Sequence, residues 1–501
     1  MGFRSDIKRC KVFNEFSPEL QKQYFGLTRD KVVFNIDTLY YTVSLMETDR
    51  VEQMLSQLKL WKDDYNNGNK DITYYDMQFL PFYFCHYEYK LTIENMFDIF
   101  IASYLPNTST PRIVVQLRSV GLWLNGAETM INDSYNNLLS FLQPFGIRVE
   151  KVCINRIDYA YHSNLIQSTD NYFSDRSLIR NLKTKMRKFH KVGNITDKIE
   201  IDYLGLGMRT SNNVYFRAYN KTREVIEKGY KGFFIDLWFK NGLISEYDKF
   251  CLEIGYKYNS YVSMNVARID WYLLYGTDDN LKRDLRRIRE KCFENSDNYT
   301  YIKKALRNVL PEVTVIMNCE YQTKTKFFKS LENTIGAIPY ESVADATAEL
   351  RNVIKIVRNS KLFTDYLTSN TVSFCEKDGS DYLNWWKRIR SCKIDTMFKG
   401  EIMRQYGNHI EIEKLKQRML TSVAGISAYK NNINNNDLTA DISDFLCILN
   451  DNDVCNVTID TNTGEQLEFK YRNYDTIKKR KQRQIKPLLK KVYGEINETQ
   501  R

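Results

Sequence analysis

From Val214 to Lys221 the chain reads Val-Tyr-Phe-Arg-Ala-Tyr-Asn-Lys, changing character at every residue. A β-strand sends successive side chains to opposite faces. Tyr215, Arg217, Tyr219 and Lys221 then share one face, and Val214, Phe216 and Ala218 the other. A strand buried on both sides would not collect two phenols, a guanidinium and an ammonium. The stretch demands a sheet with one apolar face and one polar face suited to an anionic ligand. A phenol flanked by cations is also equipped to attack a phosphodiester.

The pattern recurs. Val152 to His162 places Arg156, Asp158 and His162 on one side, and Ile113 to Arg118 does the same with Gln116 and Arg118. Val266 to Leu273 reads as a further strand, with Arg268 and Asp270 facing away from Ala267, Ile269, Trp271 and Leu273. Val32 to Asp37 reads as the first strand of the same sheet. Apolar residues at helical spacing predict helices over Val51–Asp64 and Glu128–Phe145. Strands joined by hairpins and interleaved with helices predict an α+β fold, an antiparallel β-sheet with helices packed on one face. The bland reading is a sheet that is simply wet on one side. The two Arg-x-Asp triplets and the Tyr-rich basic strand count against it.

A chain of 501 residues is expected to form two or three domains. Its net charge of +11 favours polyanionic partners. Basic runs flank the polar strands: Arg180, Lys183, Lys185, Arg187 and Lys188 before Tyr219, and Lys282, Arg283, Arg286 and Arg287 after Asp270. Lys478, Lys479, Arg480 and Lys481 form a third run. These read as DNA-binding surfaces, with solvated helix faces or a disordered end as the plain alternative. Trp385 and Trp386 beside Lys387, Arg388 and Arg390 offer a stacking platform for unpaired bases, or else a helix anchor.

Ten cysteines without a Cys-x-x-Cys pair indicate neither a zinc site nor a disulfide framework. The start is charged from Arg4 onward, which argues against a secretory leader, so the reducing cytoplasm is expected. The apolar stretch from Phe79 to Leu105 is broken by His86, Glu88, Lys90, Glu94 and Asp98, so no membrane span is expected. There is no phosphate loop for nucleotide hydrolysis. Four histidines with no His-x-His exclude a paired-histidine metal site.

Taken in order, the polar segments resemble the replication initiation factor family, the rolling-circle plasmid and phage initiators of the staphylococcal type and related conjugative-element relaxases. The likeness rests on Arg156-Ile157-Asp158-Tyr159-Ala160-Tyr161-His162, then Gly207-Met208-Arg209-Thr210-Ser211, then Arg217-Ala218-Tyr219-Asn220-Lys221-Thr222-Arg223-Glu224, and finally Arg268-Ile269-Asp270. It covers residues 31–276. His162 stands where the family has a second aspartate, and Asp270 where it has glutamate.

The resemblance implies a metal-dependent tyrosine nickase. Tyr219 would attack DNA to leave a 5′-phosphotyrosine, with Lys221 and Arg217 assisting and lowering its pKa. Asp158 and Asp270 would bind Mg²⁺ or Mn²⁺. Gln116, Arg156, His162, Tyr215, Arg268 and Glu224 complete the candidate site, with Tyr215 the rival nucleophile. The partners implied are an origin DNA, a host helicase and polymerase, and a second copy of the chain. The expected division is a leader over residues 1–30, a nicking domain over 31–276, a mainly helical DNA-binding region over 277–430, and a linker with a basic module over 431–501. A catalytically silent DNA-binding relative is the alternative, supported by His162 and Asp270. An RNA-binding protein that stacks bases on its tyrosines is a third reading.

Overall fold

The computed structural model describes residues 5–26, 30–107, 110–166, 181–184, 186, 189–195, 199–229, 231–294, 298–338 and 347–394, with residues 419, 420, 423, 442, 454–459 and 466–471 beyond. Its strands are β1 (Val32–Leu45), β2 (Thr73–Tyr74), β3 (Met77–Phe84), β4 (Tyr87–Ile93), β5 (Phe97–Ala102), β6 (Ile113–Leu117), β7 (Val149–Ser163), β8 (Leu182–Thr184), β9 (Phe189–Ile195), β10 (Ile199–Leu206), β11 (Val214–Asn220), β12 (Met317–Lys324), β13 (Val372–Phe374), β14 (Val454–Ile459) and β15 (Gln466–Tyr471). Eleven of them form one sheet in the order β2-β3-β4-β5-β6-β1-β7-β12-β11-β10-β9. Every pairing in it is antiparallel. The fold is α+β.

Alternation decides which face is apolar. Ile157, Tyr159 and Tyr161 of β7, Phe216 and Ala218 of β11, and Cys319 and Tyr321 of β12 all enter one core. The helices Asp49–Asn66 and Ala127–Leu142 pack into it through Val51, Met54, Leu58, Met130, Ile131 and Leu138. A second core gathers helices from the 221–305 region around Trp238, Tyr247 and Trp271. Ala160 of β7 belongs to this second core, so these helices roof one end of the polar face.

Three expectations change. Val266 to Leu273 is not a strand; it lies inside the helix Tyr261–Tyr275, capped where the Ser260 side chain accepts from the Ser263 N–H. Eight residues of alternation are too short a window. Over the whole segment almost every side is buried, which suits a core helix equally well. The boundary at 276 also fails. β12 lies between β7 and β11 in the sheet, so the segment beyond 276 supplies a central strand. The chain divides instead into one unit over 1–403 and another over 404–501. Residues 1–30 are more than a leader, because Phe13, Phe16 and Phe25 are buried in the second core.

Capping explains how β12 is delivered. Ser245 and Asp248 form a capping box at the start of the helix Glu246–Lys257. Asp248 also accepts from the Thr314 N–H at 2.8 Å and the Thr314 hydroxyl at 2.7 Å, pinning the approach to β12. Trp385 and Trp386 are buried against Phe374, so the anchoring reading holds for them. Among the described residues no helix is long and apolar enough to cross a membrane. In the second unit, β14 pairs with β15; residues 431–437 and Lys478, Lys479, Arg480 and Lys481 lie outside the described residues.

Candidate active site

Strand register builds the site. On β11, Tyr219, Arg217 and Tyr215 stand opposite Asn318, Glu320 and Gln322 of β12. On the other side of β12, Asn318, Glu320, Gln322 and Lys324 stand opposite His162, Ala160, Asp158 and Arg156 of β7. Three adjacent strands therefore pool their polar faces. β12 repeats the signature used to find the others: Asn318, Glu320, Gln322 and Lys324 alternate with Met317, Cys319, Tyr321 and Thr323. The same alternation test, applied to residues 317–324, would have found Glu320.

Tyr219 is 8% exposed and saturated with hydrogen bonds. Its Oη accepts from Asn318 Nδ2 at 3.0 Å and from Lys221 Nζ at 3.2 Å, and donates to Glu320 Oε2 at 3.5 Å. Glu320 also accepts from Arg217 Nη2 at 2.5 Å and from Asn318 Nδ2 at 3.0 Å. Burial raises the Tyr219 pKa, and the Lys221 and Arg217 charges do not offset it. The expectation of a phenol acidified by its neighbours is corrected: the Tyr219 phenol is firmly protonated. Tyr215 is hydrogen-bonded to Tyr203. Gly205 leaves room for it, since a Cβ there would lie 2.5 Å from Tyr215 Oη.

Lys221 is the first residue of the helix Lys221–Lys228, just past β11. Asn220 caps that helix by accepting from the Arg223 N–H at 2.9 Å. The sharp strand-to-helix turn carries Lys221 Nζ to 2.6 Å from Glu224 and 5.0 Å from the Phe234 ring. Burial opposes the carboxylate form of Glu224, yet Lys221 holds its pKa down to about 2.

A residue that sequence reading passed over lies beneath them. Asp37 occupies a break in the β1–β7 register, between Ile36 and Thr38. There it accepts from Ser119 Oγ at 2.6 Å and Trp123 Nε1 at 3.0 Å, with Lys231 Nζ at 3.8 Å. Burial opposes its charge, but Lys221 and Lys231 hold its pKa well below the carboxylate range. A bulge re-aims a side chain without any mark in the local sequence.

The remaining candidates separate. His162 is fully buried, stacked on Trp123 with centroids 4.5 Å apart, and accepts from Trp238 Nε1 at 3.2 Å through Nδ1. A neutral imidazole whose Nδ1 accepts carries its proton on Nε2, so His162 is not a metal ligand in this arrangement. Burial, with Lys221 nearby, keeps it neutral. Arg268 is buried in its helix, donating to Asn265 Oδ1 and the Leu310 carbonyl. Asp270, on the same helix as Arg268 and not on the sheet, pairs at 2.6 Å with Arg289 of the helix Asp279–Glu294. Gln116 faces Asp98 on one side and Tyr40 on the other, two strands from Asp158.

Arg156 grips Asp158 with both Nε and Nη2. Even so, burial and the nearby Glu320 charge push the Asp158 pKa up to about 7. The native state therefore holds a proton that the unfolded chain releases above its ordinary carboxylate pKa. Stability contributed by that proton is full at low pH and is lost as pH rises from about 4 to about 7, at a slope of roughly 1.4 kcal/mol per pH unit. We expect Asp158→Asn to flatten this slope in urea midpoints measured at pH 5 and pH 7. An unchanged slope would show that Asp158 is ionised throughout.

Of the basic runs, Arg180, Lys185, Arg187 and Lys188 lie outside the described residues. Lys183 sits on β8, with Nζ 3.1 Å from the Gly379 carbonyl. Arg283, Arg286 and Arg287 are exposed and Lys282 half-buried on the helix Asp279–Glu294, whose Leu285 and Cys292 are buried.

No protein-family model matches the chain, and no curated protein matches it. Among solved structures, it is similar to a rolling circle replication initiator protein from Geobacillus stearothermophilus, at 11% identity and a TM-score of 0.31, over 73% of this chain and all of that one.

Proposed function

We propose that this protein nicks and rejoins one DNA strand through Tyr219, to initiate rolling-circle replication or conjugative transfer of a mobile element. The observation that carries the reading is the set of groups on one phenol: an acceptor carboxylate, Glu320, and two donors, Lys221 and Asn318. Glu320 takes the phenol proton as Tyr219 Oη attacks phosphorus. Lys221 and Asn318 stabilise the phenolate oxygen, and Arg217 and Arg156 turn to the phosphate. The Oη–P bond forms and the P–O3′ bond breaks. The 3′ oxygen takes up a proton, leaving a 3′-hydroxyl and a 5′-phosphotyrosine.

Mg²⁺ or Mn²⁺ belongs to this proposal through Asp158, with Asp270 set aside. Such ions are commonly held by one or two carboxylates plus substrate phosphate and water. Among the described residues no cluster of three or more metal-ligating side chains occurs, so a substrate-shared ion fits this donor set better than an all-protein cage. When bound, the ion would polarise the scissile phosphate.

With no phosphate loop, the enzyme relies on a host helicase to unwind and a host polymerase to extend the 3′ end. A second copy offers the tyrosine that closes the circle. The burial of Tyr219 favours one rival, a silent DNA-binding relative. Incubation with supercoiled DNA carrying the protein's own gene, with Mg²⁺ or Mn²⁺, separates the two. Nicked DNA with protein on its 5′ end is expected, whereas salt-dependent binding without nicking would establish the silent relative.

A further inference from the structure

We infer that a basic cleft beside the start of β1 is a single-stranded DNA subsite, holding one unpaired nucleotide and its phosphate. The inference rests on the DNA reading above. The cleft encloses about 510 Å³, within the usual range for ligand pockets. It is lined by Lys31, Arg388 and Lys393 against one carboxylate, Asp30, and by the rings of Phe34 and Trp123.

Three features point to a nucleotide. First, Lys31, Arg388 and Lys393 are exposed and make no ion pair among the described residues, so their charge is available. Lys387 and Lys361, which are close in sequence or space, are by contrast paired with Asp381 and Asp365. Second, β6 pairs only with Leu39–Val43, so among the described residues β1 from Val32 to Thr38 has no strand partner on that side, and Val32, Val33 and Phe34 of this edge line the cleft. Third, two aromatic residues line the cleft, Phe34 half-buried and Trp123 with 8% of its surface exposed. Trp123 is fixed by its bond to Asp37 and by stacking on His162, and Phe34 packs on Tyr161. A cationic groove with fixed aromatic rings is how single strands are held without sequence preference.

The cleft also communicates with the nucleophile. His162, on which Trp123 stacks, stands opposite Asn318 in the sheet, and Asn318 donates to Tyr219. His162 Nε2 and Asn318 Oδ1 are both buried without a hydrogen-bond partner.

The test is fluorescence anisotropy of a labelled oligothymidylate with the full chain across a salt series. Arg388→Glu with Lys393→Glu should weaken binding at least about tenfold and flatten the log–log salt slope by about 0.7, the value for one lost phosphate contact to a single strand. The thermal midpoint should be unchanged, because both side chains are exposed. Lys59→Glu with Lys151→Glu, both exposed and in none of the basic runs, controls for general charge. Equal loss in this control, or wild-type affinity and slope in the cleft variant, would overturn the subsite. Tighter binding of oligouridylate through the same residues would overturn the DNA assignment. Failure here is distinct from failure of nicking. A wild-type protein that nicks while the cleft variant binds normally removes only the cleft. One that binds through the cleft yet never nicks removes only the nickase.

Discussion

Tyr219→Phe will eliminate the protein–DNA adduct, by about 10³-fold or more, and will leave the protein folded. Only the hydroxyl is lost, and its partners keep other bonds. Lys221 retains Glu224, and Asn318 retains Glu320. The cost in stability should stay near 1–3 kcal/mol, the range for stranding a buried polar group. Tyr215→Phe is the sharper comparison, because Tyr215 shares the face but bonds Tyr203 and stands opposite Gln322 rather than Asn318. Labelled DNA run on a denaturing gel reads both variants. Adduct surviving in Tyr219→Phe and vanishing in Tyr215→Phe would move the nucleophile by two residues along β11.

Glu320→Ala will destabilise the fold by about 3–5 kcal/mol and abolish nicking. Glu320 is fully buried and holds Arg217, Asn318 and Tyr219 at once. Removing one member of a buried pair strands the other charge, and that penalty exceeds the net worth of the pair itself. Replacing both partners with apolar side chains, Arg217→Leu with Glu320→Leu, should therefore recover most of the stability while activity stays absent. Urea unfolding of the single and double variants measures this. A single variant within 1 kcal/mol of wild type would mean that water reaches Arg217, and that the site is more open than its burial implies.

How much of this was readable in the chain depends on the element. β7 and β11 are legible because both carry their polar set where register needs it. The helix Tyr261–Tyr275 was misread because Arg268-Ile269-Asp270 imitates the neighbouring triplets over too few residues. Glu320 was legible in principle by the same alternation, yet went unread once Asp270 had been given its place. Asp37 could not have been chosen. It reaches the site through a register break, and a break belongs to two strands rather than one.

The sequence by itself determined an α+β chain with a two-faced sheet, the phenol, guanidinium and carboxylate chemistry on its polar face, and the adjacency of Tyr215, Arg217 and Tyr219. Those follow from side-chain period, which is local. Only the tertiary structure decided that β12 inserts between β7 and β11, so that Glu320 rather than Asp270 meets Arg217 and Tyr219. It also decided that Tyr219 is buried, which turns an expected acidic phenol into one held protonated. Strand order and burial are set by contacts between residues a hundred positions apart, and no local pattern encodes which distant strand will fill a given gap.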